Sequence, residues 1–280
     1  MSLTSEEAVP TRHPAVSGTF YPSLPGRLRA DVRAYMRRAL APREAAAVLA
    51  PHAALLYGGP VAGMVFGSVV VPDTVIVLAP NHTGRSTAIE GGSLLLSRAY
   101  RTPLGDIQPD HAAGEALMQR LPELLADDLV AHADEHAIEV LLPFLQMRNP
   151  RFRLVPIIVR WHDWPRTKAL ATAIAELPET RDALVVASSD LTHYESAEIA
   201  EEQDAAALGA ILRLDGWGLL RTVVERHLTM CGAAAAACAC EVARLHGASR
   251  GELLAYSHSG VINGDHERVV AYAGALLGVR

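Results

Sequence analysis

Between residues 45 and 50 the chain reads AAAVLA and runs into Pro51-His52; between 74 and 79 it reads TVIVLA and runs into Pro80-Asn81-His82. Short, continuously apolar runs of this kind predict strands buried on both faces. RLVPIIV at 153–159 and DALVVA at 182–187 have the same form, and SLLL near 93, ELLAYS at 252–257 and the closing VVAYAGALLGV extend the set. Between them, apolar positions recur at helical spacing over 28–40, 111–125, 138–147, 167–175, 197–212 and 233–246. This alternation predicts an α/β fold, with a largely parallel or mixed central sheet and helices on both faces. No repeat, linker or shift of composition divides the 280 residues, so one domain over 1–280 is expected, with 1–11 as a flexible tail.

Candidate chemistry follows the strands. In open α/β sheets, ligands bind outside the carboxyl ends of the strands. The chain places His52, then Asn81 and His82, then Ser188-Ser189-Asp190-Leu191-Thr192-His193 just past three of them. The order apolar strand, proline, histidine occurs twice, which singles out His52 and His82 as metal ligands. Asp190 and His193 lie three apart, and on a first helical turn both would face the cleft. Asp190 reads as a carboxylate ligand, as a partner orienting a ligand histidine, or as an N-cap. His193, with an ordinary pKa of about 6.5, suits a general acid or base.

Cys231 stands in Thr-Met-Cys-Gly ahead of an alanine-rich helix. A thiol at a helix N-terminus ionises readily and binds metals, and Gly232 would allow a tight turn there. A small buried residue is an equally good reading of Cys231, and suits Cys238 and Cys240 better. In Asp134-Glu135-His136-Ala137-Ile138-Glu139, helical spacing would put His136 and Glu139 on one face. The acids suit the positive end of a helix dipole, which leaves His136 unexplained.

Composition narrows the field. A net charge of -6 offers no clustered cations for nucleic acid. Arginines 29, 33 and 37 share one helical face, read as a solvated one. Three cysteines in one short stretch do not make a secreted disulfide framework, and the acidic, proline-containing start is not an export signal. No apolar run spans a bilayer. A cytoplasmic protein is expected, and its low charge and apolar composition favour a homo-oligomer. The sequence has no zincin His-Glu-x-x-His, no Walker A loop, no Gly-x-Gly-x-x-Gly and no Gly-x-Ser-x-Gly.

Seven ordered blocks resemble those of the MEMO family, which includes AmmeMemoRadiSam system protein B. They are Arg12-His-Pro-Ala-Val-Ser-Gly-Thr-Phe-Tyr-Pro22, Pro51-His52-Ala53, Pro80-Asn81-His82, Thr102-Pro-Leu-Gly105, Glu135-His-Ala-Ile-Glu139 with Leu142-Pro-Phe144, Ser188-Ser-Asp-Leu-Thr-His-Tyr194, and Cys231-Gly232. The resemblance implies a fold similar to class III extradiol dioxygenases and a metal at the corresponding cleft. It puts the ligands on His52, His82 and Cys231, with Asp190 and His193 beside them, His193 falling where those dioxygenases place an acid/base histidine. Glu135, His136, Asn81 and Tyr194 are then candidates for supporting the ligands or touching substrate. The sequence departs from the family pattern at Ala54, usually glycine, at Thr83, often a second histidine, and in the alanine run after Gly232.

The expectation is one metal ion, Fe(II), copper or zinc. Two histidines with a carboxylate make the facial triad of non-heme iron oxygenases; a thiolate in its place favours softer Cu(I) or zinc. The leading expectation is a redox-active, dioxygenase-like protein. Its alternatives are a non-catalytic module that binds a peptide, metabolite or partner protein, and a zinc hydrolase with one open coordination position. By the resemblance, a radical S-adenosylmethionine protein is a candidate partner.

Overall fold

The computed structural model describes residues 9–279. In chain order, β1 (Thr11–Arg12) precedes α1 (Pro25–Tyr35), β2 (Ala45–Ala50), α2 (Leu55–Ser68) and β3 (Thr74–Pro80). Next come β4 (Gly92–Leu94), β5 (Ala99–Thr102), β6 (Gly105–Ile107), α3 (His111–Arg120), β7 (Leu125–Asp127) and α4 (Leu129–His132). The second half runs through α5 (Leu142–Arg148), β8 (Arg153–Val159), α6 (Trp164–Glu176), β9 (Leu184–Ser188) and β10 (His193–Glu195). It ends with α7 (Ala197–Leu212), α8 (Gly216–Glu225), α9 (Ala233–Leu245), β11 (Gly251–His258), α10 (Gly260–Asn263) and β12 (Val269–Val279).

Nine strands form the main sheet in the order β10-β12-β2-β9-β3-β8-β4-β7, with β11 also paired to β12. Its centre, β2-β9-β3-β8, is parallel, whereas β12 runs antiparallel to β2 and β4 antiparallel to β8. The sheet is therefore mixed. The central strands are buried on both faces: Ala47, Leu49, Ile76 and Leu78 enter one core, Val48, Ala50, Val75 and Val77 the other. Helices α6 to α9 pack over the first face and α1, α2 and α5 over the second, as the α/β reading requires. The apolar run of α9 is buried along most of its length between the sheet and α6 and α8, where only alanine-sized side chains let so many elements meet.

Some boundaries differ from the expectation. The helix expected to reach 125 stops at Arg120, because Pro122 follows and Leu125 opens β7. Helix α1 starts at Pro25 and gives way after Tyr35 to one 3-10 turn. Arginines 29, 33 and 37 are exposed, as a solvated face requires. Helix α2, LLYGGPVAGMVFGS, is not among the predicted helices, and its glycines are not helix breakers here. They serve packing instead: a Cβ on Gly59 or Gly63 would come within 2.7 or 2.6 Å of Tyr35, and one on Gly67 within 2.2 Å of Ala39. Of the expected tail over 1–11, residues 1–8 lie outside the described residues; the Pro10 carbonyl and Thr11 are already held on β5.

Candidate metal centre

Strands β2, β9 and β3 are neighbours and parallel, so the segments after their carboxyl ends emerge side by side. His52, the 189–193 segment and His82 follow from them. Cys231 is delivered from another direction, just before α9, against the end of β9. Gly232 makes that approach possible: a Cβ there would lie 2.3 Å from the Ser188 carbonyl oxygen and 2.5 Å from Ser189 Cβ. Its φ of -100° is open to any residue, so close packing rather than a special turn requires glycine.

One donor atom from each of His52, His82 and Cys231 lies within 4.8 Å of the other two. The Cys231 Sγ to His52 Nε2 distance is 3.3 Å. Two ligands on one tetrahedral ion with bonds of ~2.0–2.3 Å stand about 3.5 Å apart, so this pair is spaced as co-ligands. Ser188 Oγ donates to the Ala137 carbonyl at 2.6 Å and thus accepts from His52 Nδ1–H at 2.7 Å. That tautomer leaves the Nε2 lone pair facing the sulfur. Burial, and then the charges of His82, His136 and His193, holds the His52 pKa well below its usual value, so its ring is neutral at pH 7.

His82 is set by Glu135, whose Oε1 lies 2.9 Å from His82 Nδ1 and whose Oε2 accepts the His82 backbone N–H at 2.6 Å. Burial works against ionisation of Glu135. The hydrogen bond and charge of His82 and the Ala137 N–H outweigh it and hold the carboxyl below its usual range. A carboxylate there makes Nδ1 the donor and frees the His82 Nε2 lone pair. His136 stacks on His82 with centroids 4.7 Å apart and meets the edge of Phe20 at 4.9 Å.

Four sequence expectations are corrected here. Asp190 and His193 do not share a helical turn: 189–192 is irregular, joined to β12 through Leu191 N–H to Ala271 O and Ala271 N–H to Thr192 O, and His193 opens β10. Asp190 caps no helix. Its Oδ1 accepts the backbone N–H groups of His52 (2.9 Å) and Ala53 (3.3 Å), which clamps the His52 loop, while burial pushes its pKa up to about 7. Cys231 gains no acidity from α9: burial, with the Asp190 charge, pushes its thiol up to about 12. A ligating thiolate would therefore have to form on metal binding. Finally, residues 133–138 are not helical, so His136 and Glu139 share no helix face.

Glu139 turns instead to the N-terminal segment. It pairs with Arg12 and accepts from Tyr21 Oη at 2.5 Å and from the backbone of Ala15 and Val16. Arg12 also donates to the carbonyls of His132 and Glu135, tying residues 12–21 under the Glu135-His136 loop. Sequence reasoning missed this buried pair and the part of Ser188. The only hint of the latter was a hydroxyl at the last position of an otherwise apolar strand.

His193 Nδ1 lies 2.7 Å from the Leu191 carbonyl and 3.0 Å from that of Thr229, so it donates and leaves Nε2 as an acceptor. Tyr194 takes φ of +67° at a β-bulge, an unusual backbone for a non-glycine residue. Its ring is exposed beneath the Arg268 guanidinium. Asn81 closes the following loop: its amide donates to Arg85 O and its oxygen accepts from Thr83. Thr83, at the position where the family pattern often has a second histidine, holds this loop through the Asn81 oxygen.

The family model described as Memo-like protein matches residues 12–276. Similar curated proteins include a MEMO1 family protein of Methanopyrus kandleri, 37% identical over 282 residues, covering 95% of this chain and 98% of that one. A MEMO1 family protein of Aquifex aeolicus is 36% identical and one of Methanocaldococcus jannaschii 33%, each covering 95% of this chain and 98% of its own length. With the match spanning the segment from Arg12 through every residue around the His52-His82-Cys231 cluster, the chain belongs to the Memo family.

Proposed function

We propose that this chain holds one redox-competent metal ion, iron(II) or copper, on His52, His82 and Cys231, and acts on a small molecule or peptide brought into the cleft beside it. The observation that carries this reading is the three convergent donors, two of them imidazoles whose Nδ1–H groups are taken by Ser188 and Glu135, so that both Nε2 lone pairs are free. The donor set fits such an ion. Bound there, it would supply Lewis acidity and one-electron chemistry toward O₂ or an oxidisable substrate, and the thiolate would tilt the preference toward Cu(I) or zinc.

The chain's own residues do the rest. Asp190 holds the His52 loop in place through two backbone N–H groups. His193, its Nδ1–H engaged by carbonyls, offers Nε2 to take a proton from a substrate hydroxyl and return it. His136, stacked on His82, lines the approach. Three free thiols suit the reducing cytoplasm, and a radical S-adenosylmethionine protein is the partner class we propose. Among the described residues, no helix is long and apolar enough to cross a membrane.

A second reading, a non-catalytic binding module, is favoured by the exposed Tyr194 ring under Arg268, an aromatic surface and a cation of the kind that anchors ligands. Metal content on protein purified anaerobically without a metal-affinity tag tests the first reading. Near-stoichiometric iron or copper should be lost in His52→Ala, His82→Ala and Cys231→Ser, and no metal even after reconstitution would defeat it. Oxygen uptake with catechols by the loaded protein then separates catalysis from binding.

A further inference from the structure

We infer that His82, Glu135 and His136 form a second, outer cation position, which receives a divalent ion such as zinc or iron(II) before it reaches the inner set. The inference rests on the reading of His52, His82 and Cys231 as metal ligands. One donor atom from each of His82, Glu135 and His136 lies within 4.8 Å of the other two. The Nδ1 atoms of His82 and His136 stand 2.9 and 3.4 Å from the same oxygen, Glu135 Oε1, with the two rings nearly parallel at 19°.

The load on the carboxylate is uneven. Oε1 faces His82 Nδ1 and accepts the N–H groups of His136 and Ala137, whereas Oε2 accepts only the His82 N–H. A carboxylate oxygen has two lone-pair sites, so Oε2 keeps one for an ion. Access is graded as well: the side chains of His82 and His136 are 33% and 22% exposed, while His52 is buried. Glu135 is as buried as His52, so an arriving cation meets the His82 and His136 rings before it reaches either.

His82 belongs to both sets, so one ion occupies them in turn. Filling both together would require His82 to give up the Nδ1 proton held by Glu135 and would bring two cations to opposite edges of one ring, where their repulsion is barely screened. Movement inward is a ligand exchange. In the outer position His82 binds through Nδ1 with its proton on Nε2. Moving inward, the bonds to His82 Nδ1, Glu135 and His136 break, and bonds to His82 Nε2, His52 Nε2 and Cys231 Sγ form. The His82 ring proton passes through solvent from Nε2 back to Nδ1, the thiol proton leaves to solvent, and the charge of the ion is unchanged. The outer oxygen and nitrogen donors suit a harder ion than the inner nitrogen and sulfur donors, so the exchange also sorts ions by softness.

Anaerobic titration with Co(II) tests this on the whole chain, because cobalt absorbs strongly when a thiolate binds it. Wild type should take up one cobalt with thiolate absorption. Cys231→Ser, which keeps no metal through purification, should still take up one added cobalt, more weakly than wild type and without that absorption, and adding His136→Gln should weaken this binding ~10-fold or more. In the single variant His136→Gln, thiolate absorption should appear ~10-fold more slowly after mixing. His136→Ala and a thermal melt of each variant separate loss of a ligand from loss of the fold. Two cobalt ions in wild type, none in Cys231→Ser, or equal affinity with and without His136 would each overturn the outer position. Absence of thiolate absorption in wild type would defeat the inner set instead, and the Cys231→Ser titration would still decide the outer one.

Discussion

Ser188 and His52 are joined by a hydrogen bond whose direction is fixed: the serine proton goes to the Ala137 carbonyl, so the imidazole Nδ1–H must point at the serine oxygen at 2.7 Å. Replacing Ser188 with alanine removes that acceptor and frees the ring to flip its tautomer. Metal affinity should fall ~10- to 100-fold, as when the partner of a ligand histidine is lost elsewhere. A competition titration against a chelator of known affinity checks this, and an unchanged affinity would show that the tautomer needs no help.

Gly232 presses against the end of β9, with room for no Cβ beside the Ser188 carbonyl. Gly232→Ala should push Cys231 and the start of α9 outward and destabilise the fold by on the order of 1–3 kcal/mol. Urea unfolding of the metal-free protein measures it. A midpoint equal to wild type would mean that α9 moves away at no cost.

The Arg12–Glu139 pair is fully buried and holds the N-terminal segment beneath the site loop. Breaking it from one side, as in Arg12→Met, leaves an unpaired carboxylate in the core and should cost on the order of 3–5 kcal/mol. Combining Arg12→Met with Glu139→Gln removes the stranded charge and should recover part of the loss, which a double-mutant cycle by thermal or urea unfolding will read.

His132 carries the pH prediction. Burial pushes its imidazole down to about 4; it accepts from Tyr100 Oη and its Nε2–H donates to the Ser93 carbonyl. Unfolded, it titrates at its ordinary 6.5. Between these values the unfolded chain binds a proton that the folded protein refuses, so stability falls as pH falls from 6.5 to about 4 and gains nothing above that window. The loss attributable to His132 reaches on the order of 3 kcal/mol. Unfolding free energies of wild type and His132→Gln, measured at several pH values across the window, should converge toward its acid end. Parallel profiles would sink the assignment.

Much of the fold was legible because the central strands obey one simple rule. AAAVLA and RLVPIIV, the latter apolar after its exposed Arg153, are strands over the expected residues, since short runs of this kind suit burial on both faces of a covered parallel sheet. Helix α2 was illegible for the opposite reason: Gly59, Gly63 and Gly67 look like breakers until Tyr35 and Ala39 are seen lying against them. The strand-then-histidine order pointed to His52 and His82, which the structure brings together with Cys231.

What the sequence by itself determined, then, is which residues stand at the strand ends and that three of those ends carry polar groups, because strand period and burial are local properties. Tertiary structure alone decided what those groups do. That Asp190 caps no helix and instead holds the His52 loop depended on the backbone of His52, 138 residues away in the chain. The state of the Cys231 thiol depended on burial against β9, which outweighs the nearby helix terminus. Hydrogen-bond partners, protonation and exposure are set by neighbours in space, and a linear pattern carries no record of them.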